Sequence, residues 1–557
     1  MPPSRLGGHG PEETPMSLKS GTVWQLTAML IAALVLLPVA ALVGFALQGS
    51  IGLWPHLFRN VLANALAQTA VLLAGVGTIV AVLGTITAWL IAGFDFPGRR
   101  LLGWALLLPL AVPTYIIAYA YLDILHPVGP VQSLIRDLLG YDSPRDFRLP
   151  DIRSMAGCIL LLGFVLYPYV YLPVRALFAT QAANLLEASR TLGAGPVKVF
   201  WRIVLPLARP AIAVGMALAL METLNDIGAA EFLGVRTLTV SVYSTWINRT
   251  DLPGAAQIAI VMLLIVISLV LVERRARKGQ RYAGNARRLL PLSRVRLHGP
   301  SAWAATVFCA LPVLLGFAAP AAYLVRQAWR RFVFSGIPAR IWVEAGQTAA
   351  LALIATVIAV GLGLLVSAAP RLHPAASTRI AARISTIGYA VPGTILAIGL
   401  LPVITFADRQ ISGVLGWFTE AAPQLILLGS GAGLIYAYVA RFLAISTGGI
   451  EAGMERVPIS LDHAARSLGQ KPSGVFRNIH VPLSWSSMAA AGLLIFVDCV
   501  KELPATLLLR PLNVETLATH LYGEAARGTY EDASIAALLI VLIGILPVAF
   551  LSRSIRA

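Results

Sequence analysis

Twelve long apolar stretches are separated by short polar segments along the whole chain. A helix that crosses a bilayer needs about 20 mostly apolar residues. The stretches occupy roughly residues 23–47, 62–92, 101–122, 156–178, 210–230, 255–272, 302–325, 345–368, 384–405, 423–445, 485–507 and 533–552. This pattern predicts an all-α integral membrane protein with about 12 transmembrane helices, arranged as two halves of six.

The two halves share sequence at matching places, which indicates an internal duplication. Residues 191–206 read TLGAGPVKVFWRIVLP, and residues 467–482 read SLGQKPSGVFRNIHVP, with seven of sixteen positions identical. The triplet AVP also recurs at 111–113 and 390–392. With six helices each, the halves have the same orientation, as in parallel repeats. We therefore divide the chain into a cytoplasmic tail (1–21), a first half of six helices (22–273), a basic cytoplasmic linker (274–300) and a second half of six helices (301–557).

Composition and charge agree with a membrane protein and assign its orientation. Hydrophobic residues make up 57% of the chain and charged residues only 12%, whereas soluble domains carry about 25% charged residues. With the amino terminus inside, the inner segments hold 26 of the 43 Lys and Arg residues and 8 of the 26 acids, so the excess of positive charge behind the formal net charge of +17 lies on that face. Basic residues concentrate on the cytoplasmic side of membrane proteins. Both termini are thus expected in the cytoplasm, and nucleic-acid binding is not expected.

The three cysteines and the amino-terminal apolar stretch both have a structural interpretation. Cys158, Cys309 and Cys499 each lie inside an apolar run, far from one another and without metal-ligand spacing. We interpret them as packing residues and predict no metal site. The first apolar run, 25 residues long, exceeds the apolar region of a secretion signal and is interpreted as an uncleaved first helix.

The repeated phrase resembles the EAA loop of ABC-importer permeases. In that pattern Glu-Ala-Ala precedes a Gly, and Ile-x-Leu-Pro follows the Gly after nine intervening residues. The first copy, EASRTLGAGPVKVFWRIVLP, has Ser189 at the second Ala place, and the second copy has His463 at the Glu place, with Asp462 beside it. The matching positions assigned to ATPase coupling are Glu187, Ala188, Ser189, Leu192, Gly193 and Pro196, and Asp462, His463, Ala464, Ala465, Leu468, Gly469 and Pro472.

The resemblance implies a type I ABC-importer permease fold in which each loop forms a coupling helix. In that family the coupling helix docks on a cytoplasmic ATPase subunit, so two loops in one chain imply two ATPase copies. Independently, none of the five lysines lies in a Gly-Lys-Ser/Thr triplet, which a phosphate-binding P-loop requires. We therefore expect a transport subunit rather than an enzyme, with ATP and Mg²⁺ bound by the partner ATPase and no cofactor on this chain.

The fifth helix of each half carries two acids, although charge inside a membrane is costly. Glu222 pairs with Asp498, and Asp226 with Glu502, at an offset of 276 residues. The spacing within each pair, i and i+4, predicts that both carboxylates share one helix face. One interpretation is a polar lining of the translocation pathway, since carboxylates suit hard cations.

The alternative is a buried structural network of the same acids. In that case Lys501, three residues after Asp498, neutralises it locally, and the acids pair with Arg175 or Arg441 of the fourth helices. Lys501 is assigned to the pathway together with the four acids. Direct metal coordination is the less favoured version of the pathway interpretation, because a binding protein can deliver ions without a fixed membrane site.

The segment KELPATLLLRP, at 501–511, resembles the fused permeases of ferric-iron ABC importers, and the resemblance extends over essentially all twelve helices. It implies Fe³⁺ as substrate, a periplasmic substrate-binding protein as partner, and location in the bacterial inner membrane. Thiamine importers have similar fused permeases, so thiamine or another small solute is the alternative substrate. A twelve-helix secondary transporter is the alternative from another class, although it does not explain the repeated loops.

Overall fold

The computed structural model describes residues 18–49, 55, 57–180, 195–277, 294–416 and 425–554. Within these ranges the regular structure is helical apart from one pairing of two-residue strands. The prediction of an all-α membrane protein is therefore confirmed.

The first half begins with one long helix and contains several helices interrupted by tighter or wider turns. Its elements are α1 (Leu18–Gln48), a π-helix (Leu57–Leu62), α2 (Ala63–Gly93), β1 (Phe94–Asp95), α3 (Arg99–Ala105), a 3₁₀ turn (Leu108–Ala111), α4 (Thr114–Ile124), α5 (Pro130–Leu139), α6 (Met155–Leu166), α7 (Pro168–Thr180), α8 (Pro196–Val199), a π-helix (Phe200–Val204), α9 (Leu205–Asn225), α10 (Gly228–Phe232), α11 (Leu238–Arg249) and α12 (Leu252–Arg277).

The second half repeats this order with small differences. Its elements are β2 (Val295–Arg296), α13 (Pro300–Val313), a π-helix (Leu314–Ala318), α14 (Ala319–Ser335), α15 (Ala339–Leu372), α16 (Ala376–Ser385), a 3₁₀ turn (Ile387–Ala390), α17 (Gly393–Leu415), α18 (Ile426–Gly429), α19 (Ala432–Met454), α20 (Ile459–Ser467), α21 (Pro472–Val475), a π-helix (Phe476–His480), α22 (Val481–Leu483), α23 (Trp485–Val500), α24 (Pro504–Leu509), α25 (Leu517–Arg527) and α26 (Tyr530–Ser554).

Ten helical segments among the described residues are long and apolar enough to cross a membrane. Two further segments qualify only as bent pairs, and counting each pair as one span gives twelve. One pair, Arg99–Ala111 with Thr114–Ile124, bends by 95°. The continuous helix predicted at 101–122 is therefore wrong in shape. Pro113 holds an extended conformation and has no N–H to donate, which ends the helical hydrogen bonding there.

Hydrogen bonds repeat between the halves as the sequence does. The hydroxyl of Thr69 in α2 accepts the N–H of Leu238 at 3.0 Å. In the second half the hydroxyl of Thr348 in α15 accepts the N–H of Leu517 at 2.9 Å. Thr348 follows Thr69 by 279 positions, and Leu517 follows Leu238 by the same number. The duplication therefore extends to individual side-chain contacts.

The chain divides into two compact units. The first unit comprises Met1–Leu36, Thr356–Tyr389 and Phe442–Ile495, and the second comprises Leu37–Ala355, Ala390–Arg441 and Phe496–Ala557. The second copy of the repeated loop lies in the first unit. The carboxyl ends of both fifth helices lie in the second unit.

The core of the first unit joins the carboxyl end of α15 to the second copy of the repeated loop. Leu372 of α15, Met454 of α19 and Val475 of α21 are buried in one cluster, which Ala465 of α20 also enters. The ring of Trp24 packs on Phe476 with centroids 5.0 Å apart. Burial of a large apolar side chain contributes about 1.5–3 kcal/mol. These contributions come from α15, α19 and α21, whereas α20 adds only the small side chain of Ala465.

In the second unit, two short helices pack against longer neighbours. Helix α10 packs against α4, and α24 packs against α17. The strand pairing also lies here, with Phe94 opposite Val295 and Asp95 opposite Arg296 in parallel. The end of the predicted linker is thus attached to the segment that follows α2.

Candidate coupling helix and paired helix breaks

The second copy of the repeated loop forms α20, a short helix with a defined end. Gly469 follows it with a φ of 78°, a conformation that glycine adopts without strain. The N–H of Gly469 donates to Arg466 O at 2.9 Å, and that of Gln470 donates to Ala465 O at 3.0 Å. These bonds satisfy carbonyls at the helix end. Pro472 then begins α21, in the position that proline favours.

The residues of α20 divide between a buried and an exposed face. Asp462 and Ala465 are buried, whereas His463 and Ala464 are exposed. Leu468, just beyond the helix, is 84% exposed. The exposed face also includes two apolar residues, Ile459 and Leu461. Exposed apolar side chains grouped with small residues suit contact with another protein.

Asp462 is the anchor of α20 rather than part of its exposed face. Its carboxylate lies 2.6 Å from Arg371 Nε and 3.1 Å from His480 Nε2. The same guanidinium donates to Met454 O at 2.8 Å and to Val457 O at 2.9 Å. Burial raises the pKa of the Asp462 carboxyl, but the hydrogen bonds from Arg371 and His480 outweigh it, so the pKa lies below its ordinary value. Arg371 and His480 were missed from sequence, because Arg371 lies outside the repeated stretch and His480 replaces Val204 at a position where the two copies differ.

The first copy lies largely outside the described residues. Glu187, Ala188, Ser189, Leu192 and Gly193 all fall in the undescribed range 181–194, and Pro196 begins α8.

The first helix break separates Glu222 from Asp226. Helix α9 ends at Asn225, and Asp226 has an extended backbone, with φ −72° and ψ 123°. Its carboxylate accepts the N–H groups of Ala229 at 2.8 Å and Ala230 at 3.1 Å, and also the hydroxyl of Thr114. Asp226 thereby caps α10, whose first N–H groups have no partner inside the helix. The predicted shared helix face for Glu222 and Asp226 is wrong, because the helix ends between them.

The second break repeats this arrangement. Helix α23 ends at Val500, and the Glu502 carboxylate accepts the N–H groups of Ala505 and Thr506, each at 3.0 Å. Asp498 therefore does not share a helix face with Glu502 either. Asp498 instead lies 2.7 Å from Lys501 Nζ, as the local neutralisation predicted.

Arg441 is the arginine that joins this network. Its Nη1 lies 3.0 Å from Glu502 Oε1 and 3.1 Å from Asn225 Oδ1. The N–H of Gly393 also donates to Asn225 Oδ1, at 2.9 Å. A Cβ on Gly393 would come within 2.6 Å of both Arg441 Nη1 and Glu502 Oε1, so this close approach requires glycine.

Comparison with known proteins gives consistent matches. Residues 81–281 match the family model described as the binding-protein-dependent transport system inner membrane component. The chain is 25% identical over 508 residues to the Fe(3+)-transport system permease protein FbpB 2 of Haemophilus influenzae, covering 89% of this chain and 91% of that protein. It is 31% identical over 208 residues to the molybdenum transport system permease protein ModB of Escherichia coli K12, covering 36% of this chain and 87% of ModB. This chain belongs to the binding-protein-dependent permease family.

This permease is also related to proteins the size of one of its halves. It is 30% identical over 277 residues to PhnU of Salmonella typhimurium, a permease protein named for 2-aminoethylphosphonate transport. That match covers 96% of PhnU but 48% of this chain. The permease is thus tandem-sized, and family membership sets aside the secondary-transporter alternative.

The remaining predicted partner of the acids, Arg175, lies elsewhere in the permease. It donates to Gly103 O and, at 2.9 Å, to the Tyr171 hydroxyl. Across the described residues, no group of three or more His, Cys, Asp or Glu side chains is arranged to hold a metal ion. The sequence did not indicate Asn225, Thr114 or Gly393, although the last two directly follow the prolines of the repeated AVP triplets.

Proposed function

We propose that this permease carries ferric iron across the bacterial inner membrane, powered by a separate ATPase. The observation that carries the proposal is the similarity to FbpB 2, which covers both halves, whereas the matches to ModB and PhnU cover one half-length each. The name of FbpB 2 states Fe(3+) transport.

The charges at the helix breaks favour a cation over an oxyanion as the transported substrate. Four acids, Glu222, Asp226, Asp498 and Glu502, occur at the breaks, against the two cations Lys501 and Arg441. A net negative region attracts Fe³⁺, a hard cation that prefers oxygen ligands, and repels molybdate or sulfate. Asp226 and Glu502 are buried and engaged in capping. We therefore assign the closer role toward the ion to Glu222 and Asp498, which are only partly buried, although Asp498 also pairs with Lys501.

The energy enters through two ATPase copies, one for each coupling helix. In the second half the docking surface is the exposed face of α20, with Ile459, Leu461 and Leu468 available for contact. The Asp462–Arg371 ion pair makes this helix move as one piece with the end of α15. A periplasmic substrate-binding protein delivers the ion, and ATP and Mg²⁺ bind to the ATPase. The concentration of Lys and Arg on one face supports cytoplasmic termini.

Substrate identity is tested by uptake in iron-starved cells that lack the chromosomal gene. Cells carrying the permease gene should take up radiolabelled Fe³⁺, and depletion of ATP should stop this uptake. Excess unlabelled molybdate or thiamine should not compete. Loss of the difference between the two strains, or competition by thiamine, would refute the iron assignment while leaving the permease class intact.

The coupling role is tested by replacing Gly193 and Gly469 together with valine. The positive φ of Gly469 strains any residue with a Cβ, so the end of α20 must shift. Hydrolysis by the co-purified ATPase should continue while uptake falls. Gly195→Val is the matched control, because Gly195 lacks the positive φ of Gly469 and no atom of the described residues lies within 4 Å of its Cβ position. Wild-type uptake by the double variant would contradict the coupling role.

A further inference from the structure

One side-chain oxygen joins the two halves beside the breaks. Asn225, the last residue of α9, belongs to the first half, and its Oδ1 accepts two hydrogen bonds from the second. One comes from the N–H of Gly393 at the start of α17, at 2.9 Å, and the other from Arg441 of α19, at 3.1 Å. Two helices of the second half are therefore held by a single residue of the first.

The bonds that Arg441 makes differ in strength. Its partner within the second half, Glu502, is a carboxylate at 3.0 Å, and the two side chains are only 7% and 2% exposed. Its partner across the halves, Asn225, is a neutral amide. A bond between two charged groups is stronger than one with a single charged member, most of all where water is excluded. Of these two bonds of Arg441, the one within its own half is thus the stronger.

We propose that Asn225 is a releasable latch between the halves of the resting permease. In each transport cycle its bonds to Gly393 and Arg441 break and re-form, while the Arg441–Glu502 pair persists and keeps the arginine in position. A passage that opens between the halves at this level has to separate these groups. The inference rests on the proposed coupling to an ATPase, but not on the identity of the substrate.

Two substitutions remove the latch from opposite sides. Asn225→Ala deletes the acceptor. Arg441→Lys keeps a cation beside Glu502, but its shorter side chain does not bring a donor to the place of Nη1, the one nitrogen that bonds both Asn225 and Glu502. Asn248→Ala is the matched control, because Asn248 is exposed on α11.

The first measurement is ATP hydrolysis by the permease and its ATPase in lipid nanodiscs, without substrate or binding protein. Each single variant should raise this basal rate about tenfold, since a hydrogen bond to a charged group accounts for roughly that factor or more. The double variant should raise it no further, and the control should match wild type. An unchanged or lower basal rate in folded variants, or multiplied effects in the double variant, would overturn the latch.

The second measurement follows the opening itself and does not need full activity. Asn225→Cys is introduced after the buried native cysteines Cys158, Cys309 and Cys499 are replaced by alanine. Labelling by a membrane-impermeant maleimide should accelerate several-fold when ATP and vanadate are added, whereas Asn248→Cys should label equally in both conditions. Equal rates at position 225 would overturn the latch. Failure of wild type to co-purify with an ATPase would instead refute the coupling proposal.

Discussion

The two helix breaks use the same backbone device with different electrostatics. At the first, the partners of Asp226 are neutral: two N–H groups and the hydroxyl of Thr114. At the second, Glu502 accepts two N–H groups and the hydroxyl of Thr506, and it is also paired with the Arg441 guanidinium. A broken helix needs a cap on its next segment, which explains the acid in both halves. Arg441 is present only at the second break, where it adds an ion pair to the cap.

The largest change in the free energy of unfolding is expected when the two capping acids are neutralised one at a time. Glu502→Gln leaves Arg441 buried without its counter-ion, which costs about 3–5 kcal/mol of unfolding free energy. Asp226→Asn keeps an oxygen for the cap and strands no cation, so it costs about 1 kcal/mol. Thermal unfolding of the two detergent-purified variants shows which substitution destabilises the protein more. Equal losses of stability would mean that the arginine adds nothing at the second break.

A double-mutant cycle isolates that arginine. Arg441→Met and Glu502→Gln should each destabilise strongly, but the double variant should cost less than their sum by about 2 kcal/mol, because each single change strands a charge. The matched cycle in the first half combines Arg175→Met with Asp226→Asn. These two should be additive, since Arg175 binds Gly103 O and the Tyr171 hydroxyl instead. Additivity in both cycles would contradict the difference between the breaks.

An intermediate loss of stability is expected when the residues that directly follow the two AVP triplets are substituted. Gly393→Ala forces its Cβ against Arg441 and Glu502, both 2.6 Å away, and such overpacking costs about 1–3 kcal/mol. Thr114→Ala removes one hydrogen bond to Asp226, at about 1 kcal/mol. The unfolding midpoints of the two variants provide the measurement. A neutral Gly393→Ala variant would show that the second break is loosely packed.

The sequence was sufficient to predict the architecture. Long apolar runs give the helices, because the bilayer imposes both length and composition on any span, and the repeated phrase gives the family. Gly469 and Pro472 lie at the end of α20 and the start of the next helix, where glycine and proline are commonly found. These are local properties, which periodicity and residue type record directly.

The breaks could not be predicted in the same way. The spacing of Glu222 and Asp226 fits one helix face, but Asp226 is used to cap the next segment, and helical spacing cannot distinguish these outcomes. The role of Arg371 toward Asp462 depends on a partner 91 positions away. Asn225 contacts Gly393 and Arg441 at separations of 168 and 216. Such contacts follow from packing, and no local pattern marks them.

The smallest effect is expected at Lys501, which occupies the position of Asn225 in the second half. Its ammonium lies 2.7 Å from Asp498, and the two side chains are 31% and 24% exposed, so the pair is partly hydrated. Such pairs contribute at most about 1 kcal/mol and weaken in salt. Lys501→Met should therefore shift the unfolding midpoint only slightly, and high salt should abolish the shift. The same titration on Arg441→Met should show a loss that salt leaves nearly unchanged. If salt did not reduce the Lys501→Met shift, the Lys501–Asp498 pair would be dry, and the second break would hold two strong ion pairs against none in the first.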